Sequence, residues 1–183
     1  FAERPTPENL AKAIERHKPT IVNNVPTMMG KLLDHDEALK ARGEAGLDFS
    51  SVRFHLSAGE ALPEALLGRF MKRWGAEVFD GIGSAEMFHI YISNAPGDVK
   101  PGSLGRVVPG YEARVVGPDG RDVAEGEMGQ LWVKGDSKAL CYWRDQEKSD
   151  EVFHGPWTIS ADLFRKEGDY FFFAGRGDDM LKV

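Results

Sequence analysis

The stretch Asp80-Gly81-Ile82-Gly83-Ser84-Ala85-Glu86-Met87 carries the residue types best suited to chemistry. A short apolar run reaches Phe79, two glycines interrupt it, and a carboxylate follows at Glu86. That order is expected of a buried strand ending in a loop that faces a ligand. Glycine at Gly81 and Gly83 removes the Cβ atoms that would hold backbone away from a flat or anionic group. Glu86 offers hard oxygen ligands of the kind Mg²⁺ prefers. The plainer reading of the same residues is a strand-to-loop turn with a solvated glutamate, because short glycine motifs recur by chance. A second small-residue corner, Ser57-Ala58-Gly59-Glu60-Ala61, follows the alternating run Val52, Phe54 and Leu56.

These corners need elements to position them. Thr6 and Pro7 form a helix start, with Leu10, Ala13, Ile14 and His17 on one stripe; His17 reads as a partly buried helix-end residue. A strand is expected over Thr20 to Val25, then a helix from Pro26 with Met28, Met29, Leu32 and Leu33 in the core. The polar stretch Asp34 to Asp48 reads as helix end and surface loop. Pro63 starts a helix carrying Leu66, Leu67, Phe70, Met71 and Trp74, with Gly75 as its C-cap. Ala76 to Phe79 is the next strand.

Strands alternating with helices imply a parallel sheet, and in such sheets ligands sit beyond the carboxyl ends of the strands. Both glycine corners are therefore expected to line one crevice. After Asn94 the pattern changes to turn clusters and short strands: Tyr111 to Val116, Gly129 to Lys134 and Tyr170 to Ala174. Evenly spaced short strands suggest an antiparallel barrel or small sandwich. The expected fold is α/β, a βα half of a parallel-sheet subdomain over 1–97 followed by a small antiparallel β-barrel subdomain over 98–183.

Composition narrows the partners. The 183 residues are 42% apolar, enough for a core, with net charge −6 and pI near 5.4. No Lys/Arg block is present to draw in nucleic acid or an anionic membrane. No apolar run is long enough for a membrane span, and no signal peptide is visible. A single cysteine, Cys141, excludes an internal disulfide and a cysteine-rich zinc site, consistent with a cytoplasmic protein. The chain starts at Phe1 and stops in an apolar run at Leu181-Lys182-Val183, as expected of a piece of a longer protein.

Five local patterns, in one order, resemble the motifs of the adenylate-forming superfamily of acyl-CoA synthetases, luciferases and peptide-synthetase adenylation domains. They are Ser57-Ala58-Gly59-Glu60-Ala61-Leu62-Pro63, Gly81-Ile82-Gly83-Ser84-Ala85-Glu86, Gly129-Gln130-Leu131-Trp132-Val133-Lys134-Gly135, Ser160-Ala161-Asp162-Leu163 and Gly175-Arg176-Gly177-Asp178-Asp179-Met180-Leu181-Lys182. Asp80 to Met87 with Phe88-His89-Ile90 and Ser93-Asn94, and Pro101-Gly102-Ser103-Leu104-Gly105 with Val108-Pro109-Gly110-Tyr111, look most like the benzoate-CoA ligase branch.

The resemblance implies a two-step reaction. An aromatic carboxylate and MgATP give an acyl-adenylate and pyrophosphate, and the CoA thiolate then displaces AMP. It implies that Gly59, Glu60 and Ala61 wall the adenine slot, that backbone at Asp80, Gly81 and Ile82 bonds the purine edge, and that Ser84 lies beside the nucleotide. Glu86 would hold Mg²⁺, Asp162 would accept from both ribose hydroxyls, Arg176 would reach the ribose or phosphate, and Asp178 would be an interdomain hinge. Ala58, Gly59, Phe88, His89 and Ile90 are candidates for the acyl pocket, with core packing as the alternative for each. A turn aspartate at Asp162 and a solvated charged turn at Arg176 and Asp178 are the plainer readings.

Two positions depart from the family pattern. Ala85 stands where a threonine usually precedes the metal-binding glutamate, leaving phosphate binding weakened or met by another group, since Ser84 is expected to point elsewhere. Ala161 stands where a glycine usually precedes the ribose-binding aspartate. The family's phosphate loop and its C-terminal domain with the catalytic lysine do not occur in this sequence, so the chain alone is expected to be inactive, its missing N- and C-terminal parts completing the enzyme. The alternatives are an aryl-acid adenylation domain that loads a carrier protein and a non-catalytic nucleotide-binding remnant.

Overall fold

The computed structural model describes residues 4–177. In chain order the elements are α1 (Pro7–His17), β1 (Ile21–Asn24), α2 (Pro26–Ala41), β2 (Phe54–Ser57), α3 (Glu64–Trp74), β3 (Val78–Gly83), a 3₁₀ turn (Ala85–Met87), β4 (Ile90–Ser93), β5 (Arg106–Val107), β6 (Tyr111–Val116), β7 (Met128–Gly135), α4 (Gln146–Val152), β8 (Phe153–His154), β9 (Trp157–Glu167) and β10 (Tyr170–Arg176). No helix among the described residues is long and apolar enough to cross a membrane.

Two compact units divide inside β3, between Asp80 and Gly81, rather than near Asp98. The reason is packing: Met87, Tyr91, Ile92 and Leu104 share a buried cluster with Val115, Leu131, Phe164 and Phe171, so the residues before Asp98 already belong to the second core.

In the first unit β1, β2 and the start of β3 are parallel, in the register Asn24↔Ser57 and Ser57↔Asp80. The start of α1 and the end of α3 are set by the devices the sequence announces. Asn9 N–H donates to the Thr6 hydroxyl at 3.2 Å, and Gly75 takes the left-handed conformation at the end of α3. Ile14, Met29, Leu32, Phe70 and Val78 are almost wholly buried. α2 runs to Ala41, well into the polar stretch Asp34 to Asp48 that reads as helix end and surface loop. Asp36 explains this: wholly buried, it accepts from Arg73 Nε at 2.5 Å, Arg73 Nη2 at 2.8 Å and Leu47 N–H at 2.7 Å, so a polar residue faces inward. His17 ends α1 as expected but is exposed.

In the second unit the antiparallel order β10-β9-β7-β6 forms a curled half-barrel, with β8 against β9. β6, β7 and β10 fall where the alternation placed them, whereas β9 and α4 were not expected. β3 also continues through Gly83 instead of stopping at Phe79, pairing Gly81 with Ser93 and Gly83 with Ile90. A Cβ on Gly81 would lie 2.7 Å from the Ile92 carbonyl oxygen, and one on Gly83 would fall closer still to that of His89. These glycines admit a neighbouring strand on that side.

Candidate functional site

A cavity of about 220 Å³ in the second unit is lined by Ser84, Glu86, Tyr91, Tyr142, Asp162 and Arg176 among others. Three elements aim the charged groups. The 3₁₀ turn that follows β3 carries Glu86. Asp162 lies in mid-strand on β9, not in a turn, and is the cross-strand partner of Arg176 on β10. Arg176 Nε stands 4.0 Å from Asp162 Oδ1, and the Asp162 N–H donates to Ser160 Oγ at 3.0 Å. Thr158, two residues before Ser160, also lines the cavity, and its buried hydroxyl has no hydrogen-bond partner among the described residues.

Glu86 is half-buried, and burial alone would raise its pKa. Hydrogen bonds from the Tyr142 hydroxyl, from backbone and from the Ser84 side chain, together with the Lys148 charge, outweigh that and leave the pKa below the ordinary carboxylate value. Burial and the bond to Glu86 push Tyr142 up to about 12. Burial likewise raises Tyr91 to about 12, against a hydrogen bond with Ser84. Glu86 is therefore anionic and Tyr142 a neutral donor at neutral pH. Ser84 faces this network, correcting the expectation that it points elsewhere.

No group of three or more His, Cys, Asp or Glu suited to a metal occurs among the described residues. One ionised carboxylate on a cavity wall fits Mg²⁺, which keeps several waters and takes one or two carboxylates plus phosphate oxygens.

The remaining predicted residues lie elsewhere. Ala58 and Gly59 line a hollow of about 600 Å³ in the first unit, with Leu10, Asn24, Val25 and Met28. Glu60 plays a structural part, because its Oε2 accepts from Thr27 N–H at 3.2 Å and from the Thr27 hydroxyl at 2.6 Å. It thereby caps α2, whose own N-cap Val25 has no polar side chain. Ala61 is exposed, and Asp80 and Gly81 are buried in the ladder. Ile82 pairs with Ile92, which commits one edge of that backbone to β4. Phe88 is 82% exposed at φ 71°, His89 is exposed and Ile90 pairs with Gly83; none of them lines the Glu86 cavity. Asp178 lies outside the described residues. Sequence reasoning missed Tyr91, Tyr142, Lys148 and Thr158, and no motif or periodicity marks them.

The model of the family described as AMP-binding enzyme matches residues 1–143. Benzoate–CoA ligase of Thauera aromatica is 44% identical over all of the chain and 34% of its own length. The 4-hydroxybenzoate–CoA/benzoate–CoA ligase of Rhodopseudomonas palustris is 36% identical, again over all of the chain and 33% of its own length. Among solved structures, the anthranilate CoA ligase AuaEII in complex with anthranoyl-AMP superposes with a TM-score of 0.88 at 42% identity, over 97% of this chain and 33% of that one. A benzoate CoA ligase from Burkholderia xenovorans LB400 gives 0.87 at 41%, over 99% and 36%. The chain thus spans about a third of the length of the curated relatives it matches. With the family model covering most of its residues and the fold shared throughout, the chain belongs to the AMP-binding enzyme family.

Proposed function

We propose that the whole protein is a cytoplasmic, ATP-dependent ligase that joins a benzoate-type aromatic carboxylate to CoA through an acyl-adenylate. The convergence of Glu86, Asp162 and Arg176 on one cavity carries the reading. In the first step a carboxylate oxygen attacks the α-phosphorus and pyrophosphate leaves. In the second, the CoA thiolate attacks the carbonyl carbon and AMP leaves. Both steps depend on positioning and charge neutralisation more than on covalent catalysis.

Within this reading Glu86 would hold Mg²⁺, which when bound neutralises phosphate charge. Asp162 accepts from both ribose hydroxyls, as two carboxylate oxygens can do at once. Arg176, cross-strand to it, supplies positive charge toward the phosphate. The cavity, at about 220 Å³, is below the roughly 300–1,000 Å³ typical of a whole small-molecule site, which suits the ribose and phosphate portion of a nucleotide. Adenine is assigned to Gly59, Glu60, Ala61 and the backbone at Asp80 to Ile82, and the aromatic acid to Ala58, Gly59, Phe88, His89 and Ile90. The Ser84 and Tyr142 hydroxyls at the cavity answer the absence of a hydroxyl at Ala85.

Pyrophosphate exchange dependent on benzoate, measured on the full-length protein, tests this. Exchange is expected there and not with the 183-residue chain, which spans a third of its relatives' length. No exchange by the full-length protein with any aryl acid would overturn the ligase reading. If exchange occurs without thioester formation on free CoA, the carrier-loading alternative takes its place.

A further inference from the structure

We propose that Ser137 to Tyr142 is a strap that holds the Glu86 turn, with Tyr142 a positioning residue that fixes the Glu86 carboxylate for a metal-bound nucleotide. The inference deepens the ligase reading and rests on it. The Glu86 turn has little to hold it by itself. It is three residues long, its first residue Ala85 is exposed, and Phe88 after it is 82% exposed with a positive φ. Only Met87 is anchored in the core.

The strap supplies the rest. Ala139 N–H donates to the Glu86 carbonyl oxygen at 2.8 Å. Ser137 Oγ donates to the Met87 carbonyl oxygen at 2.7 Å and is itself 2.8 Å from Tyr111 Oη. The Tyr142 hydroxyl donates to Glu86 Oε1. Turn backbone and carboxylate are thus gripped by one short segment, about fifty residues away in sequence.

Tyr142 is itself held. Its N–H donates to the buried Ser149 Oγ at 2.9 Å, Ser149 Oγ donates to the Asp145 carbonyl oxygen at 2.6 Å, and its ring stands 5.5 Å from Phe153. The hydroxyl is presented from a backbone fixed on α4 rather than from a loose surface loop. A carboxylate has about four lone-pair sites. The bonds from Tyr142, from Ser84 and from backbone occupy up to three of them, leaving about one for a cation. Outer partners that orient a metal ligand in this way commonly change metal affinity by about 10- to 100-fold when removed.

The test uses the full-length protein and calorimetry, so that binding is read without turnover. The probes are a magnesium complex of a non-hydrolysable ATP analogue and, separately, metal-free AMP. Tyr142→Phe keeps the ring on Phe153 and removes only the hydroxyl. It is expected to weaken the magnesium complex about tenfold, leave AMP affinity within twofold, and leave the melting temperature unchanged. Equal affinity for the magnesium complex in wild type and variant would overturn the inference. So would a parallel loss for both probes, which would mean a merely structural role. Ser137→Ala, which releases the strap from the Met87 carbonyl oxygen, is expected to give a smaller loss in the same direction, and it decides the matter alone if Tyr142→Phe does not fold. Glu86→Gln separates the two levels. If it weakens the magnesium complex while Tyr142→Phe and Ser137→Ala do not, only the strap is overturned; if it too has no effect, the metal role of Glu86 falls with it.

Discussion

Glu86 keeps its negative charge in half-buried surroundings because the donors around it outweigh the cost of desolvation. Replacing it by glutamine preserves the hydrogen bond to Tyr142 while removing the charge. If the charge holds a cation, Glu86→Gln in the full-length protein should slow magnesium-dependent pyrophosphate exchange by on the order of a hundredfold. Binding of a metal-free acyl-AMP mimic should change much less, and equal losses would deny the metal role. His55 is the opposite case. Its ring sits between Phe49, at 5.9 Å, and Phe70, at 4.9 Å, with Nε2 unpartnered, and burial pushes its pKa down to about 4. Below about pH 6.5 the unfolded chain takes up a proton that the folded one refuses. Stability should therefore fall as the pH drops from about 6.5 toward 4, by up to about 3 kcal/mol. Urea midpoints at pH 7.5 and 4.5 should show a smaller acid-side loss for His55→Leu than for wild type; identical losses would remove His55 as the cause.

At the scale of elements, the close crossing of β3 and β4 is the most demanding local feature. Gly83→Ala would press a methyl against the His89 backbone, which cannot yield as a side chain can, and should destabilise the chain by about 1–3 kcal/mol in denaturant unfolding. No change would mean the strands separate at little cost. Capping residues and alternation made α1, α3, β6, β7 and β10 legible, because those signals are local. The second half of α2 was not, since Asp34 to Ala41 reads as polar and the distant Arg73, on α3, together with the Leu47 N–H makes an inward Asp36 acceptable. Asp36→Ala should cost about 3–5 kcal/mol for the same reason, by stranding Arg73; a loss below about 1 kcal/mol would show the pair to be dispensable. β9 was hidden because Ser160-Ala161-Asp162 has the small, polar look of a turn, while its pairing to β7 and β10 is a matter of long-range register.

For the whole molecule, the charged half of the candidate site was legible and its support was not. Glu86, Asp162 and Arg176 stand in recognisable motifs and line one cavity, but Tyr142 reaches Glu86 across 56 positions with no motif of its own. Ala58 and Gly59 line their own hollow in the first unit. The ligase reading stands on a nucleotide occupying the cavity of Glu86, Asp162 and Arg176. Calorimetric titration of the full-length protein with a non-hydrolysable aryl-AMP mimic tests that most directly. Saturable binding, weakened about 10- to 100-fold by Asp162→Ala through loss of hydrogen bonds to a charged acceptor, is the predicted result. No binding by wild type, or equal binding by Asp162→Ala, would contradict it.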